Sequence, residues 1–233
     1  MRQKRKVVLS SALAVLLGLF LLVPQAGAVP MLRLTTSGGG NVTITDNGAG
    51  DINLLSGVVV FNGSLDGYIV SVTTGLTKPT IGSAAVPGID LNSVAVSGAA
   101  GTITIEFTDT DFLGPIPTPA VSGFIAEIGG TTAGTLTYDT FLDPSNTEFL
   151  QTTALTSQGP FSGGAFSDTQ SVVSPVIGGN YSLTQVVSIT HTGASQVTSL
   201  DATLNAVPEP TSMLLLGSGL VGLGFWRWKK GKK

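Results

Sequence analysis

Apolar residues return at every second position along most of the stretch from Val29 to Ala206. In an extended chain successive side chains point to opposite faces, so this period builds one apolar and one polar face, whereas on a helix the same residues would scatter around the axis. "TITIEF" sets Ile103, Ile105 and Phe107 against Thr102, Thr104 and Glu106. "NVTIT" pairs Val42 with Ile44, "GYIVSVT" groups Tyr68, Val70 and Val72, and "NSVAVSG" pairs Val94 with Val96. "VVSITHT" and "LDATLN" continue the pattern, the latter turning Leu200, Ala202 and Leu204 inward. Between these segments fall "DNGAGD", "NGSLDG", "KPT", "VPG", "SGAAG" and "GGTTAG", whose Gly, Asn, Asp and Pro suit the backbone angles of turns. The expected fold class is all-β: an antiparallel β-sandwich of about eight to eleven strands, formed by residues 29–206 around one core. Two stretches carry little strand signal. "DFLGPIPTPAVSG" has three prolines within five residues and reads as an extended loop or edge, and "LTSQGPFSGGAFSDTQ" lacks clear alternation.

Charge is distributed as unevenly as hydrophobicity. Nine of the eleven basic residues lie in the first six and last seven positions, leaving Arg33 and Lys78 to face thirteen acidic residues in the domain, a net −11. A field of that sign repels nucleic acid and anionic lipid and attracts divalent cations, so no nucleic-acid partner is expected. The chain has no cysteine, which excludes disulfides, thiol catalysis and thiolate metal sites. Its one histidine, His191, falls short of the ligand sets that zinc and most transition metals require.

Both ends carry membrane signals. "MRQKRK", the apolar run Val7–Val23 and "PQAGA" form the three parts of a secretory signal peptide, residues 1–28, expected to be helical through its apolar run. The run would also suit an uncleaved anchor; Pro24 and the small residues Ala26 and Ala28 favour cleavage after Ala28. Residues 207–233 form the second element. Thr211–Trp226 carries no charge and as a helix would span about 24 Å, short for a hydrocarbon core of roughly 30 Å. Trp226 and Trp228 suit the interface, and Arg227, Lys229, Lys230, Lys232 and Lys233 are expected to stay cytoplasmic. The "GSGLVG" within this span matches a dinucleotide-binding spacing but lacks the preceding strand and the acidic residue downstream, and reads as glycine content alone.

Pro208-Glu209-Pro210, a short Gly- and Leu-rich span and a basic cluster, in that order and behind a signal peptide, resemble the PEP-CTERM sorting signal of Gram-negative bacteria. The resemblance implies an exported protein handled by a membrane-embedded exosortase. That enzyme cuts near the motif and releases the protein to the cell surface or the extracellular polysaccharide matrix. Two prolines keep the motif out of regular helix or strand, as a protease substrate requires. "GVVVFNGSL" and "SLTQVVSITHTG" are similar to phrases in a group of PEP-CTERM proteins, which implies a shared fold and no particular activity.

Candidate chemistry in the domain is sparse. His191 follows Val187 and Ile189 at period 2 and reads as a strand residue near a sheet end; no G-x-S-x-G nucleophile pattern accompanies it. Asp109 and Asp111 in "FTDTDF" are two apart at the end of a strong strand, so their side chains are expected to share a face. Asp139, Asp143 and Glu148 follow. Two carboxylates with few basic neighbours favour a cation, and Ca²⁺ accepts loop oxygens, so a Ca²⁺ site at Asp109/Asp111 or in the Asp46–Asp51 loop stands beside the reading of plain solvated acids. Paired carboxylates also admit glycoside hydrolysis. Sugar stacking needs exposed aromatic faces; the domain has no tryptophan, and Tyr68 and Tyr138 read as core-facing, which leaves Tyr181. The leading expectation is a non-enzymatic structural protein of the cell surface or extracellular, biofilm-associated matrix. It needs no cofactor beyond a possible Ca²⁺, and its partners are the exosortase, the membrane through its tail, and extracellular polysaccharide. A calcium-dependent carbohydrate-binding or adhesion module is second, and a glycoside hydrolase third.

Overall fold

The computed structural model describes residues 29–209 together with 215, 216, 218 and 219. Ten strands occur in chain order: β1 (Met31–Thr36), β2 (Asn41–Thr45), β3 (Val58–Leu65), β4 (Tyr68–Leu76), β5 (Gly88–Ser97), β6 (Gly101–Phe112), β7 (Gly123–Asp143), β8 (Thr153–Val173), β9 (Tyr181–His191) and β10 (Val197–Val207). Every pairing is antiparallel. One hydrogen-bonded path runs β2-β1-β6-β9-β7-β10-β5-β4-β3, with β8 beside β7.

This path becomes a two-layered sandwich because β7 serves both layers. Residues 123–132 pair with β10, and residues 135–143 pair with β9. β8 follows β7 on its other side for most of its length. The two long strands therefore arch over one end of the molecule. One layer contains β2, β1, β6, β9 and the second half of β7; the other contains β3, β4, β5, β10 and the first half. At the arch end the remaining connections are short. At the opposite end, the base, lie the longer loops and both ends of the domain, Met31 and Val207.

The layers meet through named contacts. Tyr138 of β7 donates its hydroxyl to the Thr203 carbonyl of β10 at 3.0 Å, and Gln185 of β9 donates to the Tyr138 hydroxyl at 2.7 Å and to the Ala202 carbonyl at 3.2 Å. Near the arch, Tyr68 of β4 stacks on His191 of β9 with ring centroids 5.8 Å apart and donates to the Gly101 carbonyl of β6. Phe107 of β6 fills the space that Gly75 of β4 leaves open, so a Cβ at position 75 would run into the ring. Ile103, Ile105, Phe107, Leu200, Ala202 and Leu204 are all buried, as their alternation predicts.

Three sequence expectations are corrected. "GGTTAG" is the crossing point of β7 between layers and not a turn between strands; Gly134 lies against the Thr190 backbone, where a Cβ does not fit. "LTSQGPFSGGAFSDTQ" lies inside β8. As an edge strand paired only with β7, β8 needs no continuous apolar face and tolerates Pro160, whose missing N–H would break a central ladder. Ser93, Ala95 and Ser97 of β5 point inward while Val94 and Val96 are only partly buried, because β5 alternates without a break from the buried Ile89 and Leu91 in register with Leu200, Ala202 and Leu204 of β10, and the Tyr68 ring already occupies the interior opposite Ser97.

The expected signal helix, including Ala26 and Ala28, lies outside the described residues, as do Pro210 and the basic cluster Arg227, Lys229, Lys230, Lys232 and Lys233. Among the described residues, no helix is long and apolar enough to cross a membrane.

Candidate functional site

The chain leaves the sandwich at the base, from the middle of a layer. β10 lies between β5 and β7, and its last residue, Val207, pairs with Gly123. Ser122 donates both its backbone N–H and its hydroxyl to the Val207 carbonyl at 2.9 Å. The N–H of Glu209 then donates to the Pro119 carbonyl, also at 2.9 Å. The proline-rich segment that the sequence marks as non-strand is therefore the collar around the exit. Pro208 and Glu209 are exposed and lie outside any strand, the first two residues beyond the sheet.

Asp109 and Asp111 do not share a face. The pairing of β6 with β9 slips between Asp109 and Phe112, and Asp111 adopts a positive φ of 57°. Asp109 is fully buried and its cation is internal: Lys78 Nζ donates to Oδ2 at 2.6 Å and also to the Thr110 carbonyl, and stands 3.9 Å from the Phe112 ring centroid. Thr77 Oγ1 donates to the same carboxylate oxygen, and the Thr110 N–H to the other. Burial pushes the Asp109 carboxyl up while Lys78 pulls it back; burial likewise pushes the Lys78 ammonium down against the pull of Asp109. Asp111 instead exchanges two 2.8 Å hydrogen bonds with the Asn146 side chain and so ties two base loops together.

The other loop acids hold their own loops. Asp46 accepts the Gly57 N–H, and Asp51 accepts those of Asn47, Asn53 and Val60. Burial pushes the Asp143 carboxyl up, but hydrogen bonds from Ser145, Thr152 and Thr147 outweigh it and leave the group below its ordinary range. Among the described residues, no three His, Asp or Glu side chains are grouped to hold a metal ion.

His191 is the last residue of β9 and buried, with Nε2 2.9 Å from Thr198 Oγ1. Burial lowers its pKa, so the ring is neutral near pH 7. Tyr68, Tyr138 and Tyr181 are all buried, which removes Tyr181 as well from the set of sugar-stacking faces.

Sequence reasoning missed one pair. On the outer face of the second layer, Asp90 of β5 is a diagonal neighbour of Asp201 of β10, two residues along from its register partner Thr203. Burial, then the neighbouring Asp201 carboxylate, raises Asp90 to about 7, against a 2.5 Å hydrogen bond from Asn92 that lowers it. "GIDLN" and "LDATLN" show two polar-face aspartates, but nothing in either segment says that β5 and β10 are neighbours.

Fold and exit together define a β-sandwich that presents an exposed, non-strand segment directly at the end of its last strand. Residues 206–230 match the PEP-CTERM protein-sorting motif, so the chain carries that motif around the exit. No curated protein sequence matches the chain. Among solved structures, it is similar to TmCBM61 in complex with beta-1,4-galactotriose at 12% identity and a TM-score of 0.31, over 62% of this chain and 92% of that one. The cleaved adhesin domain of Lys-gingipain from Porphyromonas gingivalis aligns at 9% identity and a TM-score of 0.33, over 67% and 94%. A carbohydrate-binding module of the β-sandwich superfamily aligns at 12% and 0.29, over 78% and 73%. These are partial likenesses, and no ligand follows from them for this chain.

Proposed function

We propose that this chain is an exported, non-catalytic β-sandwich that joins the cell surface or the extracellular polysaccharide matrix after an exosortase cuts it near Pro208-Glu209-Pro210. The observation that carries this reading is the match of residues 206–230 to the sorting motif, which begins where β10 ends. The exit supports it: Pro208 and Glu209 are exposed and outside any strand, where a protease can reach them, while the bonds to Val207 and Glu209 keep the domain folded up to the cut. The non-catalytic part is supported by the fate of the candidate groups, with Asp109 neutralised by Lys78 and His191 held by Thr198 in the interior.

The test is the intact mass of the mature protein from its native host. A mass beginning at Val29 and ending between Val207 and Pro210 agrees with the proposal, and any added mass identifies what is attached. A product that keeps Arg227–Lys233 and stays with the membrane refutes it. Replacing Glu209 by Ala separates motif recognition from nonspecific proteolysis: recognition predicts accumulation of the uncut form.

A further inference from the structure

The base of the sandwich carries a concentration of exposed apolar side chains. Leu54 is 84% exposed and Val176 88%, and Ile52, Leu55, Leu113 and Val173 are also well exposed. All six lie in, or at the margins of, loops that open on the base. Ile52, Leu54 and Leu55 are between β2 and β3 at one edge of the sandwich, Val173 and Val176 are beside the β8–β9 connection at the other, and Leu113 follows β6 between them. The chain exits through the same base, from β10 in the middle. At the arch end, the large exposed apolar residues are only Ile69 and Val197 among the described residues.

We infer that the base is a lipid-facing seat: while the tail anchors the precursor, these loops rest on the bilayer surface. The inference builds on the reading of the tail as a membrane span. The occupant follows from where the tail goes. β10 ends at Val207 and the charge-free run begins at Thr211, leaving three residues between sheet and span, so no more than about 14 Å of extended chain separates them. Within that reach the end of the domain facing the membrane is the base, with its apolar residues on both sides of the tether. Their arrangement at two edges and the middle suits a plane better than a groove, and apolar side chains at a lipid interface gain from burial near the headgroups. Of the base carboxylates, Asp46, Asp51 and Asp143 spend their oxygens on local N–H and hydroxyl donors, while Glu148 and Glu209 are exposed and stay in the water of the headgroup layer. The domain's net −11 selects a zwitterionic surface over an anionic one.

The absence of cysteine allows a clean test. Single variants Leu54→Cys, Val176→Cys, Ile69→Cys and Val197→Cys of the tail-bearing chain are labelled with an environment-sensitive fluorophore and reconstituted into phosphatidylcholine vesicles, and flotation reports insertion. The expected result is flotation of all four, with blue-shifted emission and quenching by nitroxide-bearing lipids at 54 and 176 but not at 69 and 197. Flotation with equal emission at all four sites overturns the seat and leaves the anchor standing. Failure to float overturns both. A shift at 54 and 176 that grows with the protein-to-lipid ratio assigns the patch to a second copy of the chain and also overturns the lipid seat.

Discussion

Lys78→Met isolates a buried charge and lets its cost be measured. Asp109 has no exposed surface and the Lys78 side chain is 7% exposed, so the pair lies in the interior although Lys78 follows the end of β4. Removing one partner of a buried ion pair costs about 3–5 kcal/mol, because the other charge stays desolvated. Thr77 and the Thr110 N–H still donate to Asp109, which places the expected loss near the lower figure, about 3 kcal/mol. Methionine preserves the apolar stem over Phe112, so the loss reports on charge and not on volume. For a domain of this size each kcal/mol moves the melting temperature by about 2–4 °C, which gives a drop on the order of 6–12 °C in a thermal melt followed by circular dichroism. The pH dependence supplies a second reading. Without Lys78 the upward push of burial on the Asp109 carboxyl is opposed only by the hydrogen bonds from Thr77 and the Thr110 N–H, so its folded pKa moves further above the ordinary 3.8. A raised folded pKa favours the folded state below the unfolded value and loses that stability as pH climbs through the folded one, so the deficit must shrink as the solution is acidified from about pH 7 toward pH 4. Adding Asp109→Asn should recover most of the loss. A deficit under about 1 kcal/mol at neutral pH, or one that acid does not reduce, would refute the reasoning, because the pair would then be behaving as a solvated surface bridge.

The other predictions concern separate parts of the sandwich. With Asp90 raised to about 7, its contribution is complete below 3.8 and lost as pH rises through 7, so Asp90→Asn should flatten that part of the urea-midpoint profile. An unchanged slope in the variant would assign the titration elsewhere. Gly75→Ala drives a methyl group into the Phe107 ring and should cost about 1–3 kcal/mol by overpacking, with Phe107→Leu in the same chain restoring part of it in chemical denaturation. Tyr138→Phe removes a buried hydroxyl that donates to Thr203 and accepts from Gln185; a loss of about 1–2 kcal/mol is expected, and a neutral result would show that the bond across the layers is not contributing.

The fold was legible wherever a strand has one wet face. Ile103, Ile105 and Phe107, and likewise Leu200, Ala202 and Leu204, alternate because each faces the core from a strand whose opposite side meets water or a thin polar cover. The reading failed where that condition fails. β8 lies at the edge, so "SGGAFSDTQ" had no periodicity to detect, and β7 changes layer at Gly134, so its glycines resembled a turn. In β4 a bulge moves the inward face from Val70 to Thr73, which no period-2 template allows for. Of the site, Pro208 and Glu209 were legible because a linear motif is local. Lys78 and Asp109 are 31 positions apart, and only the adjacency of the β4 end to the β6 end makes them partners.

β10 has a consequence for the order in which this protein is made. It is the last strand of the domain to be synthesised and exported, yet it occupies a central place between β5 and β7. Until Val197–Val207 has crossed, both of those strands have an unpaired edge and the inner face of their layer lacks Leu200, Ala202 and Leu204. Such edges recruit other chains, so the interval before β10 arrives is the time of greatest aggregation risk. The sorting motif, residues 206–230, follows at once, so completion of the sheet and emergence of the motif are nearly one event.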